Sequence, residues 1–177
     1  MSAEKELDFW IRPVKPEDAE GISELRRMPG VFENILAISS ERIDYSQEYI
    51  DNLQGNAHQF VAVTEKDGEE LVIGTAGIAS FKNPRVAHSA NFGIAVHREY
   101  QNAGVGTALM KTILDLADNW LMLVRLELTV FCENEGAVRF YKRSGFEIEG
   151  KKRMSAVRCG KYADEYVMGR IRPDLRT

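Results

Sequence analysis

Apolar and polar positions follow two different rhythms along the chain. Phe9 and Ile11 alternate with polar neighbours over residues 7–14, a period of two that predicts a short strand. Pro16-Glu17-Asp18 then opens a helix, because proline suits a first turn and acids suit the positive end of the helix dipole. Ile22, Leu25 and Met28 recur at helical spacing, and Met28-Pro29-Gly30 ends the run. Residues 32–40 read as loop or broken helix. Residues 40–53 read as a second helix with Ile43, Ile50 and Leu53 on one stripe. Residues 59–64 and 71–81 predict strands joined at Lys66-Asp67-Gly68-Glu69, a hairpin turn by composition. Ile73-Gly74-Thr75-Ala76-Gly77 marks the second of them as closely packed, and Asn83-Pro84-Arg85 turns into a further strand over residues 86–96.

Beyond residue 100 the period lengthens. Leu109, Ile113, Leu116, Ala117 and Trp120 share one side of a helix predicted over residues 107–120. A strand over 126–131 follows, then a helix over 135–144 carrying Ala137, Val138, Phe140 and Tyr141. Strands over 146–149 and 166–171 flank what reads as a basic turn. Hairpins first and strand–helix–strand–helix–strand afterwards predict a mixed sheet flanked by helices, in the α/β or α+β range.

The chain has 177 residues, 44% of them hydrophobic and 28% charged, which suits one globular domain and excludes a disordered chain. Its longest strictly apolar runs are about four residues, far below the roughly 20 of a membrane span. The start, MSAEKELDFW, shows no signal-peptide core. Cys132 and Cys159 are too few for a disulfide framework or a four-cysteine zinc site, and a reducing cytoplasmic setting is the expectation. His58, His88 and His97 have no metal spacing, so no metal is expected. A net charge of −4 disfavours nucleic acid. The charge is uneven. Residues 139–177 carry 11 Lys and Arg against 5 Asp and Glu, a net of +6, leaving 12 against 22, or −10, for residues 1–138. A basic third of this kind is either a solvated face or a seat for a small polyanion.

Residues 93–107 carry the most chemistry. A strand runs into Gln101-Asn102-Ala103-Gly104-Val105-Gly106-Thr107 and straight on into a long helix. Such a loop aims free N–H groups and a helix N-terminus at one point, a seat for phosphate. A dinucleotide fingerprint would need glycine where Leu109 stands. A P-loop would need lysine after Gly106, where Thr107 stands.

With Asn134-Glu135-Gly136-Ala137-Val138-Arg139-Phe140-Tyr141 and Gly145-Phe146-Glu147 downstream, the loop resembles the acyl-CoA motif of the GCN5-related N-acetyltransferase (GNAT) superfamily. The resemblance runs from about Leu7 to Ile171. Over residues 120–150 it is similar to small bacterial amino-acid N-acetyltransferases. It implies an acyl-CoA N-acyltransferase fold in one domain over 1–177, with a core of about 7–171. It also implies an enzyme that takes acetyl-CoA as co-substrate and acetylates a small-molecule primary amine. In this resemblance Ile94, Ala95 and Val96 offer main-chain groups to the pantetheine arm, and Gln101, Asn102, Ala103, Gly104, Val105, Gly106 and Thr107 hold the pyrophosphate. Asn134, otherwise a helix N-cap, bonds the pantetheine or positions the strand end. Tyr141, otherwise a core residue, stands near the thioester sulfur as hydrogen-bond donor or general acid. Relatives of this kind are often homodimers.

The chain departs from the family pattern on one strand. Many members place a glutamate where Asn91 stands, and asparagine cannot take a proton. An α-amine has a pKa of about 7.7–8.0 and a lysine-like amine about 10.4, so freeing the second at neutral pH costs ~3.4 kcal/mol more. The expected acceptor is therefore the α-amine of an amino acid or small peptide, deprotonated by water or a main-chain carbonyl. Glu33, Glu127 and Glu133 are the other candidate bases, and Phe32, Glu33, Asn34, Asn91 and Tyr162 are candidates for the acceptor pocket. Polyamines, aminoglycosides and protein N-termini are alternative acceptors, and a catalytically silent CoA-binding module is the alternative to an enzyme.

Overall fold

The computed structural model describes residues 7–175. Residues 1–6, where the expectation of no signal-peptide core largely falls, lie outside them, as do 176–177. Seven strands form one sheet in the order β1-β2-β3-β4-β5-β7-β6. They are β1 (Trp10–Pro13), β2 (Ala57–Lys66), β3 (Glu69–Ser80), β4 (Ser89–Val96), β5 (Arg125–Phe131), β6 (Glu147–Arg158) and β7 (Lys161–Ile171). The helices are α1 (Ala19–Arg27), α2 (Ile43–Asp51), α3 (Val105–Asp115) and α4 (Glu135–Arg143). The mixed sheet flanked by helices matches the expectation.

Local chemistry explains the joints. Asp67 and Gly68 both take positive φ, 56° and 85°, as a two-residue hairpin turn requires. Asp18 ends the proline-led turn before α1 and takes both terminal nitrogens of Arg12 at 2.8 Å, tying the helix to β1. The core lies on both faces of the sheet. Ile73, Leu109, Ile113, Leu126, Phe146 and Met168 fill the α3–α4 side, and Leu25, Val61 and Val63 fill the side under α1 and α2.

Four expectations need correction. Ile43 is 41% exposed, and α2 packs inward through Ser46 and Ile50 instead. β4 begins at Ser89, since residues 84–88 are spent in turns. Trp120 is 75% exposed. After Asp115 the helix widens into one π turn, Leu116–Trp120, closed by Leu121 N–H donating to the Leu116 carbonyl at 2.9 Å. The wider turn rotates later residues off the 3.6-residue stripe, and the Trp120 indole donates to Asp115 at 3.3 Å. The basic turn is in fact a long hairpin, twelve residues of β6 against eleven of β7, reversing at Cys159-Gly160. Its apolar alternation is hidden because nine of twelve β6 positions are exposed.

No helix among the described residues is long and apolar enough to cross a membrane. Both cysteines are free. Gly74 sets how closely α3 can lie on β3. A Cβ there would stand 3.0 Å from both Leu109 Cδ1 and Val105 Cγ1 and 3.3 Å from the Ala95 carbonyl oxygen. Gly74→Val should destabilise the protein by about 1–3 kcal/mol in denaturant titration. Gly55→Val, with nothing within 4 Å of its added Cβ, should change stability by less than half as much.

Candidate active site

The site begins where two parallel strands part. β4 and β5 pair only through Ser89↔Arg125, Ala90↔Leu126 and Asn91↔Glu127. Beyond Asn91, β4 remains bonded to β3 alone. His97 N–H donates to the Ile73 carbonyl and Phe81 N–H to the Ser89 carbonyl, which sets the phase of that ladder. Odd-numbered residues of β4 therefore face β3, and the N–H and C=O groups of Ile94 and Val96 face the gap. The Gln101 amide reaches the Val96 carbonyl at 3.2 Å and closes the loop below it.

Two clefts meet at this gap. One, of about 600 Å³, is lined by Ile94, Ala95, Val96, Gln101, Asn102, Gly104, Gly106, Thr107, Asn134 and Tyr141. Asn102 and Gly104 take φ of 61° and 87°, which folds the loop over the start of α3. Glycine adopts the second without strain. The first helical hydrogen bond runs from Ala108 N–H to the Gly104 carbonyl at 3.0 Å. Among the described residues, no amide from Asn102 to Thr107 donates to another protein group. Unpaired N–H donors at the positive end of a helix dipole favour an anion. Ala103 does not line the cleft, and the Val105 side chain is buried in the core, so either would act through its main chain.

Asn134 caps α4, its side-chain oxygen accepting from Ala137 N–H at 3.2 Å, while its amide nitrogen has no partner among the described residues. Both roles foreseen for it are thus open at once. The basic third contributes little to this cleft. Arg139, Lys151, Arg158, Arg170 and Arg172 are each paired with a carboxylate, and among the described residues Arg143 is the one basic side chain of that third that lines the cleft.

The second cleft, about 760 Å³, lies under α1 and α2. Asn91 and Glu127 stand at its strand edges. Arg26, Tyr45, Tyr49, Gln59, Lys152 and Glu165, none of them singled out from the sequence, also line it. Of the loop after α1, Asn34, Ile35 and Leu36 reach this cleft, but Phe32 and Glu33 reach neither. Glu33 accepts the Gly30 N–H at 2.8 Å within its own turn, and Glu133 pairs with Arg158 at 2.9 Å. Tyr162 is 69% exposed and lines neither cleft. His97 sits at the loop edge, where burial pushes its imidazole down, and its Nδ1 accepts from Glu99 N–H as only the neutral ring can.

Tyr141 lines both clefts. Its buried ring meets Phe92, Phe140 and Phe146 edge-on, with centroids 6.1, 5.4 and 6.0 Å away. Its hydroxyl has no hydrogen-bond partner among the described residues. Burial disfavours the phenolate and pushes the phenol up to about 12, so it is neutral throughout the working range of an enzyme. No group of metal-ligating side chains occurs among the described residues.

Residues 28–146 match the model of the Acetyltransferase (GNAT) family. The chain is 38% identical over 165 residues to the L-amino acid N-acetyltransferase AaaT of Escherichia coli strain K12, covering 93% of this chain and 99% of that one. It is 29% identical over 143 residues to the spermidine N(1)-acetyltransferase of the same organism, covering 80% and 74%. Its fold superposes with a TM-score of 0.77 on an acetyltransferase of the GNAT family from Streptococcus pneumoniae, 25% identical, over 93% of this chain and 99% of that one.

Titration of phenol absorbance should show one fewer late-forming phenolate in Tyr141→Phe than in the native protein, and that phenolate should appear above pH 11. Because the folded value is raised, stability should fall as pH climbs from about 10, where an unfolded tyrosine ionises. Tyr141→Phe should flatten that decline.

Proposed function

Because the chain belongs to the acetyltransferase (GNAT) family, we propose that it moves the acetyl group of acetyl-CoA to the α-amine of an amino acid or small peptide, with Tyr141 near the thioester sulfur. The observation that carries this reading is the position of the Tyr141 phenol, at the junction of a cleft suited to an anion and a larger one of mixed polar and apolar lining.

The residues present suit an acyl-CoA. The amides of 102–107 and the start of α3 match a diphosphate, with Arg143 as a further cation. The gap-facing groups of Ile94 and Val96 match an amide-bearing arm, which would pair there as an added strand does. The free amide nitrogen of Asn134 offers that arm one more donor. When bound, the thioester supplies an activated carbonyl and a sulfur leaving group.

The protein's own part is positional and electrostatic. Gap-facing N–H groups of β4 would stabilise negative charge growing on the carbonyl oxygen. Tyr141, neutral and lacking a partner, would donate a hydrogen bond to the sulfur as the carbon–sulfur bond breaks. Full proton transfer from a phenol near 12 to a thiolate of pKa about 8.5 runs uphill by several kcal/mol, so hydrogen-bond donation is its role. The nitrogen–carbon bond forms as the sulfur leaves with its electron pair, and the amine proton departs to solvent.

Tyr141→Phe retains the three edge-on ring contacts and should fold. It should lower kcat by about 10²–10³-fold, read as free-CoA release, with little change in KM for acetyl-CoA. Full activity would remove Tyr141 from the mechanism. In a thermal-shift comparison, acetyl-CoA at about 100 times its dissociation constant should add ~2.7 kcal/mol of stability. ATP and NAD at equal concentration should not. Turnover of polyamines far above that of amino acids would overturn the acceptor assignment.

A further inference from the structure

The acceptor-side cleft is lined by four charged residues, Arg26, Glu127, Lys152 and Glu165. Two of them are already neutralised. Arg26 grips Glu41 through Nε at 2.6 Å and a terminal nitrogen at 3.1 Å, and its guanidinium lies over Tyr45. Glu127 shares Arg125 at 3.3 Å. Neither Glu165 nor Lys152 forms an ion pair within 4.0 Å among the described residues, with each other or with any other group.

Glu165 is 6% exposed, yet its carboxylate has one hydrogen bond, from the Ser155 hydroxyl at 2.9 Å. A buried carboxylate without a cation is costly unless something else supplies the positive charge. Its placement is built rather than incidental. β6 bulges between Lys152 and Ala156, where Met154 takes a φ of 50° and its N–H donates to Asp164 at 2.8 Å. That bulge turns Ser155 back onto Glu165, and bulges of this kind re-aim side chains beside active sites. Lys152 is the register partner of Glu165 across the strand pair. Facing residues on neighbouring strands stand about 5 Å apart at Cβ, so the two charges front the same part of the cleft.

We propose that Glu165 and Lys152 form a head-group clamp for a zwitterionic acceptor, Glu165 receiving the α-ammonium and Lys152 the α-carboxylate. The inference rests on the reading of the cleft as the acceptor site and narrows it to free amino acids and peptides whose carboxylate lies close to the amine. Such a clamp would disfavour polyamines. A polyamine has no carboxylate for Lys152 and would bring a second ammonium against it.

The test compares free amino acids with their carboxamides as acceptors, at one pH so that amine basicity cancels between variants. In Lys152→Met the ratio of kcat/KM for acid over amide should fall at least tenfold, through KM of the acid, and Lys152→Arg should restore most of it. Glu165→Gln should raise KM for acid and amide alike, at least tenfold. The clamp is overturned if Lys152→Met leaves the acid-to-amide ratio unchanged, or if Glu165→Gln leaves both acceptors unaffected. If the native enzyme acetylates polyamines but no amino acid, the acceptor reading itself fails and the clamp with it. Amino-acid turnover with an unmoved ratio in Lys152→Met sinks the clamp alone.

Discussion

The parting of β4 from β5 is the constraint on which the rest depends. Parallel strands gain their stability from an even run of slanted hydrogen bonds, and this pair has only three residues of it. Past Asn91 and Glu127 the backbone of β4 presents donors and acceptors to an open space. Unpaired backbone groups in a protein interior cost about 1–3 kcal/mol each, so a gap of this kind is retained where an extended ligand can fill it. The gap also gives Tyr141, carried on α4 on one side of the sheet, a way to a cleft on the other side.

The remaining parts follow from where that gap lies. α3 starts directly below it, so the free amides of its first turn and loop fall in line with the open edge of β4. Gly74 lets α3 lie close on β3, and the fork of Arg170 on Asp118 at 2.7 and 2.9 Å ties β7 to the π turn that ends the helix. The second cleft has a floor of mixed polar and apolar character, to which each strand crossing it contributes. Asn91 and Gly93 come from β4, Glu127 and Thr129 from β5, and Glu165 and Val167 from β7. One side of the sheet is thus apolar and packed under α3 and α4, while part of the other is open and carries charged side chains among apolar ones.

Much of this was legible in advance. The turn at Asp67-Gly68, the proline-led start of α1 and the glycine loop before α3 are local instructions, read within a few residues. So was the place of Tyr141 on α4, because its motif lies in one continuous segment. Three readings failed where a local rule met a longer-range effect. Trp120 continued a helical stripe that the π turn broke. Ile43 looked inward because its period matched, but α2 packs on Ser46 and Ile50. The basic stretch before Tyr166 looked like a turn because an edge strand with solvent on most of its positions has no hydrophobic alternation to show.

Order and kind of element, the glycine loop before α3 and the place of Tyr141 on α4 were written into contiguous residues, since backbone preference and helix or strand period act over ten residues or fewer. The partners of the second cleft were not. Arg26, Asn91, Lys152 and Glu165 lie on four different elements, and they meet only because the strand order places β7 between β5 and β6 and lays α1 across the sheet. Which charges are spent on each other and which stay free is likewise a tertiary outcome. It depends on distances between chain segments more than a hundred residues apart, as when Arg158 donates to the Glu33 carbonyl. No local pattern encodes such distances.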